Sequence, residues 1–206
     1  MKNGWFRESM VSDFTLSGVR SVVLPSRAGV YMKAIVLYRS ISGFTKKYAQ
    51  WIAEELGADL FDCREIEPRA LFDYDLIIFG GSLHNGGING VDIIKRNFTA
   101  LVGKRNIIFV TGGSRIRDGI AGEILSANFS GEQQKQLRLF YFRGGFDFSK
   151  LGIKDKIQMT LEKWKLRMKR YQSLSPDEKD LLSACANPAD GTNRDIIRPL
   201  VEYARS

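Results

Sequence analysis

Short apolar runs recur along the chain and alternate with segments whose apolar residues return every three or four positions. The runs cover residues 34–38, 60–61, 76–79, 107–110 and 137–142 and are rich in β-branched and aromatic residues. Continuous runs of this kind are typical of strands that are buried on both faces of a sheet. Because such strands alternate with helices, the pattern predicts an α/β fold with a parallel sheet covered on both sides.

The segment after the first run has the clearest helical period. Its apolar residues step by threes and fours, so they predict a helix over about 44–56 with one inward face. They are Phe44, Tyr48, Trp51, Ile52 and Leu56. Further helices are predicted over about 91–101 and 117–128.

After the fifth run the alternation gives way to a long excursion over about 144–191. Within the excursion, Ser175, Pro176 and Glu178 form a helix start signal. A final helix is predicted over about 193–205, with Thr192 as its cap and Asp195 as the reciprocal partner. Residues 1–31 have no clear period. We therefore predict a flexible N-terminal extension, or a start site placed too early, ahead of one domain over 32–206.

The composition is that of a single globular domain. The chain has 206 residues, of which 44% are hydrophobic and 26% are charged, so it can bury a sizeable core. Cys63 and Cys185 are far apart and His84 is the one histidine, which excludes a disulfide framework and predicts no metal site. The absence of a secretory signal pattern and of a long apolar run favours a cytoplasmic protein.

Three predicted strands end in loops that are rich in glycine and small hydroxyl residues. In an open parallel sheet, ligands bind outside the carboxyl ends of the strands, where the strand order reverses. Loops of this composition let the backbone approach a flat or anionic ligand and offer it N–H groups. The second loop begins with Gly80 and Gly81. The candidate binding residues are Ser40, Ile41, Ser42, Gly43, Phe44 and Thr45, then Ser82, Leu83, His84, Asn85 and Gly86, and finally Thr111, Gly112, Gly113 and Ser114.

The first loop, within YRSISGFTKK, has two interpretations. A helix that begins near Phe44 directs N–H groups and a partial positive charge at residues 40–43, which favours a bound phosphate. Alternatively, Ser42 only caps that helix, as serine commonly does. The loop lies between a strand and an amphipathic helix, ahead of two more glycine-rich strand ends. This context favours the phosphate site.

Three stretches of the chain resemble motifs of the flavodoxin family. MKAIVLYRSISGFTKKYAQWIAEEL is similar to the opening of a flavodoxin, and Ser40, Ser42, Gly43 and Thr45 fit the phosphate-loop pattern Ser/Thr-x-Thr-Gly-x-Thr. DYDLIIFGGSLHNGG and NIIFVTGGS are similar to the third and fourth strands with the two flavin loops. The resemblance implies a flavodoxin-like sandwich with five parallel strands in the order 2-1-3-4-5. It also implies FMN as cofactor, with the phosphate at residues 40–45, the ring between loops 82–86 and 111–114, and electron transfer through the flavin.

Two other functions stay open at this point. Many flavodoxins place a tryptophan and a tyrosine beside the flavin ring, whereas this chain has Leu83 and His84 in one loop and no aromatic residue in 111–119. The basic charge, the loop over 80–89 and the excursion look more like the flavodoxin-type protoporphyrinogen oxidases. That resemblance implies oxidation of a porphyrinogen and transfer of electrons to a membrane quinone. The missing aromatics also fit a flavin-free binding module of the same fold.

The formal net charge of +8 is concentrated in one part of the excursion. Between residues 151 and 172 the chain has seven basic and two acidic residues. The apolar residues of this stretch form one stripe at helical spacing. They are Ile153, Ile157, Leu161, Trp164, Met168 and Tyr171. The stripe either packs on the domain, which is the favoured interpretation, or rests on an anionic membrane, with the protein peripheral at the inner face.

No residue is a certain catalytic group. His84 and Arg143 are candidates, His84 for the flavin edge and Arg143, with Arg115 and Arg117, for an acidic substrate. The expected partners are a redox partner protein or a quinone. No nucleic acid is expected, because no recognition motif or aromatic platform accompanies the charge. The first loop also lacks the signatures of nucleotide triphosphatases and dinucleotide-binding domains.

Overall fold

A parallel sheet forms the centre of the computed structural model, which describes residues 24–25, 31–84, 86–114, 116–145, 153–175, 178–179, 182–183 and 190–206. Its strands are β1 Ala34–Arg39, β2 Asp59–Asp62, β3 Leu76–His84, β4 Arg105–Gly112 and β5 Arg138–Arg143. They lie in the order β2-β1-β3-β4-β5, and all the pairs are parallel. This confirms the predicted fold class and the strand order 2-1-3-4-5.

Helices cover both faces of the sheet. They are α1 Phe44–Leu56, α2 Asp92–Arg96, α3 Ile120–Asn128, α4 Gly131–Gln134, α5 Ile153–Met168 and α6 Arg198–Arg205. Short 3-10 helices span Pro68–Asp73, Phe98–Leu101, Tyr171–Ser173 and Arg194–Ile197. The chain therefore folds into three layers, with the sheet between two layers of helices.

The alternation of side chains along each strand explains why both faces of the sheet are buried. On β1, Ile35 and Leu37 belong to the core cluster that includes α3, whereas Val36 belongs to the cluster that includes α1 and α6. Tyr48 of α1 and Leu200 of α6 are fully buried in that second cluster. The continuous apolar runs of the sequence thus supply two cores, one on each side.

Two predicted helices have different bounds in the structure. The segment predicted as one helix over 91–101 breaks at Asn97, whose side-chain amide donates to the carbonyl oxygen of Ile93 at 2.8 Å. Such a bond from a short polar side chain competes with the regular helical pattern. The helix predicted from 117 begins at Ile120, because Gly119 has a left-handed φ of 80° directly before it.

Of the two helix starts predicted in the last part of the chain, the structure confirms the one at Ser175 and not the cap at Thr192. The prediction that Thr192 caps the final helix is wrong: Asn193 accepts from the Asp195 N–H at 2.9 Å, and Thr192 donates to Asp190. The start signal at Ser175 is confirmed. The Glu178 N–H donates to Ser175 Oγ at 3.2 Å, and the Ser175 N–H donates to Glu178 Oε2 at 2.8 Å.

The N-terminal segment is described only in small part. Leu24–Pro25 pairs with Tyr31–Met32 in a short antiparallel ladder. Residues 1–23 and 26–30 lie outside the described residues, so the flexible extension stays a prediction.

Strand β3 is longer than its apolar run, because Gly80 and Gly81 continue it. A β-carbon at Gly80 would lie 2.0 Å from Cζ of Phe109, and one at Gly81 would lie 2.5 Å from Cγ2 of Ile88. Phe109 is fully buried in the sheet centre. These two glycines are therefore packing residues of the sheet, rather than loop residues open to a ligand as the sequence suggested.

We expect Gly80→Ala to lower the free energy of unfolding by about 2 kcal/mol, because the buried Phe109 ring must move to make room. Gly122→Ala is the control: its β-carbon would meet nothing within 4 Å in helix α3, so stability should rise by up to about 1 kcal/mol. Urea denaturation measures both changes. Equal stability of the two variants would contradict the packing role of Gly80.

Asp62, the last residue of β2, has a buried carboxylate. Asp62 accepts from Nε of Arg64 at 2.9 Å and from Nη2 at 2.8 Å, and Nη1 of Arg39 lies 3.8 Å from it. The bonds from Arg64 lower the pKa of Asp62 from 3.8 to about 2, against the opposing effect of burial. The folded chain therefore binds the Asp62 proton less tightly than the unfolded chain.

This ion pair should give the protein an acid-dependent part of its stability. A lowered pKa stabilises the fold fully above about pH 4, and the contribution disappears as the pH falls from about 4 to 2. We expect wild type to exceed Asp62→Asn by about 1 to 2 kcal/mol at neutral pH, since Arg64 is exposed to water. Urea denaturation across this pH range should show the difference vanish, whereas Asp73→Asn, at an exposed position, should change stability little at neutral pH. A constant Asp62 difference down to pH 2 would be inconsistent with the lowered pKa.

Candidate functional site

The candidate loops meet at the carboxyl edge of the sheet. Strand register places Arg39 beside Gly81, Ser82 beside Thr111 and Gly112 beside Arg143. The residues that follow β1, β3 and β4 therefore start from neighbouring points, as the sequence predicted. Asn85 and Arg115 lie outside the described residues, so their predicted roles stay predictions.

The loop after β1 turns through Gly43, which has a left-handed φ of 94° and is the N-cap of α1. Its N–H donates to Ser40 Oγ at 3.0 Å, and its carbonyl oxygen accepts from the Lys47 N–H at 3.0 Å. Because the N-cap residue is a glycine, it has no side chain that could cap the helix. The alternative that Ser42 is the helix cap is therefore wrong, and Ser42 lies half-exposed on the loop.

Two buried hydroxyls join the first loop to the third. Thr45 Oγ1 lies 2.7 Å from Thr111 Oγ1, and each side chain is less than 5% exposed. A hydrogen bond at this depth is strong because little water competes for either group. The bond fixes the first turn of α1 against the end of β4. Both threonines were predicted as ligand contacts. In the structure their hydroxyl groups are hydrogen-bonded to each other.

The second candidate segment is a β-hairpin. Ser82, Leu83 and His84 belong to β3, and a short strand at Gly87–Ile88 pairs with Leu83 and His84. Gly86 makes the turn with a φ of 80°. His84 is exposed at the tip, and Leu83 is half-buried.

Asn128, at the end of α3, holds this hairpin in place. Its Oδ1 accepts from the Ile88 N–H at 3.0 Å, and its Nδ2 donates to the Gly86 carbonyl oxygen at 2.8 Å. Asn128 is buried, with 8% of its surface exposed. A polar side chain that bonds to backbone on both of its ends restricts the position of the turn.

The third loop is held by Tyr141 of β5. Its hydroxyl donates to the Ser114 carbonyl oxygen at 3.0 Å, and a β-carbon at Gly112 would lie 2.4 Å from the same hydroxyl oxygen. Gly112 is therefore packed against Tyr141, while Gly113 and Ser114 are exposed. Arg117, a candidate for an acidic substrate, makes a bidentate ion pair with Glu123.

The glycines at this edge fall into two classes. Those inside strands pack against side chains, namely Gly80, Gly81 and Gly112. In contrast, a β-carbon at Gly43, Gly86 or Gly113 would have no heavy atom within 4 Å. Each of the three loops therefore has one glycine with open space beside it. This arrangement lets backbone approach a ligand on the outer side of the sheet edge.

Tyr48 joins the site to both ends of the excursion. Its hydroxyl donates to the Arg143 carbonyl oxygen at 2.8 Å and accepts from the Asn193 N–H at 3.2 Å. Burial raises the pKa of Tyr48, so the hydroxyl keeps its proton for the first of these bonds. Arg143 itself, a candidate catalytic residue, has an exposed side chain at the end of β5.

A salt bridge supports the same junction. Lys47 Nζ lies 2.7 Å from Asp190 Oδ2, and Asp190 also accepts from Thr192. The bond from Lys47, with that from Thr192, lowers the pKa of Asp190 to about 2. Lys47 and Thr45 follow the first loop in α1, so the end of the excursion returns next to the candidate phosphate loop.

Three of these positioning residues were missed by the sequence analysis as site residues: Tyr48, Asn128 and Tyr141. Tyr48 was counted only as part of an apolar stripe, although a hydroxyl in such a stripe needs a partner. Asn128 ends a helix, where an amide is common. Tyr141 lies within an apolar run. All three bond to backbone atoms, which no residue pattern reveals.

Comparison with known proteins gives a consistent family. Residues 35–172 match the family described as Flavodoxin domain. An uncharacterised protein of Methanocaldococcus jannaschii is 35% identical over 83 residues, which are 40% of this chain and 55% of the relative. The chain thus spans about half the length of this curated relative.

The solved structures that the chain is similar to include flavodoxins, at low sequence identity. A flavodoxin from the domain Archaea is 16% identical with a TM-score of 0.40, over 75% of this chain and 97% of that one. Oxidised Flavodoxin 2 from Bacillus cereus is 14% identical with a TM-score of 0.40, over 75% and 95%. Megasphaera elsdenii flavodoxin is 13% identical with a TM-score of 0.39, over 74% and 98%. This likeness concerns the fold alone. Because the family match covers well over half of the residues, the chain belongs to the flavodoxin domain family.

Proposed function

We propose that this protein binds FMN at the carboxyl edge of its sheet and transfers electrons through the flavin. The observation that carries the proposal is the convergence of three loops, each with a glycine that has open space beside it, at Gly43, Gly86 and Gly113. Family membership supports a flavin-binding redox function. When bound, the flavin supplies the redox chemistry, and the protein holds it and adjusts its potential by contacts near the ring.

The first loop suits the phosphate group of FMN. It lies at the start of α1, where the helix dipole favours an anion, and the N-cap residue Gly43 has no side chain to occupy that position. Ser40 and Ser42 are half-exposed there and carry hydroxyl groups. The bond between Thr45 and Thr111 keeps this loop next to the loop that would contact the ring.

The ring would rest mainly on backbone. The described parts of the two ring loops, 82–84, 86 and 111–114, contain no phenylalanine, tyrosine or tryptophan. Leu83 and His84 on one side and Gly112, Gly113 and Ser114 on the other would contact the isoalloxazine. Without aromatic stacking, the ring contributes less to affinity, so the phosphate should contribute a larger share than in a site with two stacked aromatics.

The partner in electron transfer is proposed to be a protein or a quinone. The formal net charge of +8 favours an acidic partner surface. A porphyrinogen oxidase would need a substrate surface as well, and the described contacts identify none. The FMN-dependent redox function is therefore the function that the site supports best.

Phosphate recognition can be tested with FMN and riboflavin, which differ only in the phosphate. Titration of purified protein should give stoichiometric binding and much higher affinity for FMN. Ser42→Asp should raise the Kd for FMN about tenfold or more, because its carboxylate repels the phosphate, and should leave the Kd for riboflavin unchanged. Ser126→Asp on exposed α3 surface is the matched control and should change neither.

The outcomes separate the hypotheses. Equal loss of FMN and riboflavin affinity in Ser42→Asp would place the phosphate elsewhere. A protein that binds neither flavin would support the flavin-free binding module instead.

The threonine pair should couple stability to flavin affinity. Thr45→Val and Thr111→Val should each lower the free energy of unfolding by about 1 to 2 kcal/mol, because each leaves one buried hydroxyl without its partner. The double variant should cost less than the sum by about 1 kcal/mol, because both hydroxyls are then removed. Each single variant should also weaken FMN binding. Urea denaturation and FMN titration measure the two effects.

Thr99→Val, on exposed surface, serves as the control for loss of a threonine hydroxyl and should have little effect on either measurement. Strict additivity of the Thr45 and Thr111 changes would show that the two hydroxyls act independently.

A further inference from the structure

Helix α5 exposes large apolar side chains on one side. Leu161, Trp164 and Met168 are 54%, 62% and 70% exposed. Their spacing of three and four residues puts them on one face of the helix. The interpretation that this part of the stripe packs on the domain is therefore wrong. We call these three residues the α5 apolar face.

Leu166 lies on the opposite side of α5 and is buried. Leu166 is only 6% exposed, and at about 100° per residue it points away from Trp164, two positions earlier. Within the described part of the chain, Leu166 does not belong to either core cluster of the sheet. Leu166 is thus a buried contact of the helix outside the two sheet cores, whereas the α5 apolar face is exposed to solvent.

Basic side chains flank the α5 apolar face. Lys165, Arg167, Lys169 and Arg170 are all exposed. Lys169 also forms an ion pair with Glu178 at 2.8 Å. The segment that carries the apolar face therefore has an excess of basic residues.

We propose that the α5 apolar face and its basic flanks bind the surface of an anionic lipid bilayer. Trp164 and the two aliphatic side chains would enter the interface, and the lysines and arginines would contact the lipid headgroups. Charge complementarity supports this partner, because seven basic residues stand against two acidic ones between residues 151 and 172.

The binding is to the surface of the bilayer. Among the residues that the structure describes, no helix has the length and apolar character needed to cross a membrane. Helix α5 has 16 residues and several charges. It would therefore lie in the plane of the interface, with its axis parallel to the membrane.

Co-sedimentation of the full chain with vesicles tests the proposal. Vesicles of phosphatidylcholine with phosphatidylglycerol should bind the protein, and vesicles of phosphatidylcholine alone should bind it at least about tenfold more weakly. Trp164→Ser should lower the partition coefficient about tenfold. Phe72→Ser is the matched control: Phe72 is also 62% exposed, but it lies in the 3-10 helix Pro68–Asp73, and its loss should leave binding unchanged.

Two charge-reversal variants test the electrostatic contribution to membrane binding. Arg167→Glu should lower the partition coefficient about tenfold or more. Arg198→Glu changes the net charge equally on exposed α6 surface and should have a smaller effect. Circular dichroism confirms that each variant keeps its fold, since all four side chains are exposed. Equal effects of the two arginine variants would show that overall charge alone attracts the protein, and would overturn the proposal.

Fluorescence measures the depth of the contact. Bromine-labelled acyl chains should quench the tryptophan emission of wild type, and the quenching should be lost in Trp164→Phe, which keeps an apolar side chain. Failure to bind anionic vesicles, or quenching that is the same in both proteins, would overturn the proposal. Sedimentation equilibrium gives the remaining contrary outcome: a dimer that Trp164→Ser dissociates would assign the face to a second copy of the chain.

Discussion

The contact between the Phe109 ring and the bare backbone of Gly80 organises the centre of this protein. With no side chain on β3 at that point, the ring lies over the strand and contacts Phe142, with ring centroids 5.7 Å apart. Phe142 contacts Tyr48 at 5.1 Å, and Tyr48 contacts Trp51 at 5.4 Å. A row of aromatic rings therefore runs from the middle of the sheet into α1. The Tyr48 hydroxyl at this row bonds to the backbone beside the candidate site.

This packing also decides where the site is. Because Gly80 and Gly81 extend β3, the hairpin tip at Gly86 is carried further along the sheet edge than the apolar run alone would place it. The pair Thr45 and Thr111 then holds α1 to β4. The loops are thus attached to buried, rigid elements, which is the arrangement that keeps a binding site in a fixed geometry.

The sequence allowed the strands, their order and the three loops to be predicted, because apolar periodicity and strand ends depend on local pattern and on general rules of topology. The roles of the glycines could not be predicted in the same way. Gly80 and Gly113 are the same residue in similar contexts, and only the Phe109 ring beside one of them separates their roles. The break at Asn97 likewise depends on one side-chain bond that competes with helical periodicity.

The candidate site was predicted in outline, and its supports were not. Ser42 carries the residue type of a helix cap, yet the chain turns one residue later, at Gly43. Asn128 and Tyr141 act on backbone atoms far away in sequence. The exposure of Trp164 could not be predicted either. Helical periodicity identifies an apolar stripe, but it does not show whether that stripe faces the protein or the solvent.

The two ends of the excursion, at Gly144 and Gly191, are in contact. A β-carbon at Gly191 would lie 2.7 Å from the carbonyl oxygen of Gly144, so the chain leaves the domain and returns to it at one place. The entropic cost of closing a loop rises only slowly with its length. The stability of the sheet should therefore depend only weakly on the length of this segment. Insertions or deletions at exposed positions of this segment should therefore leave the parallel sheet largely intact.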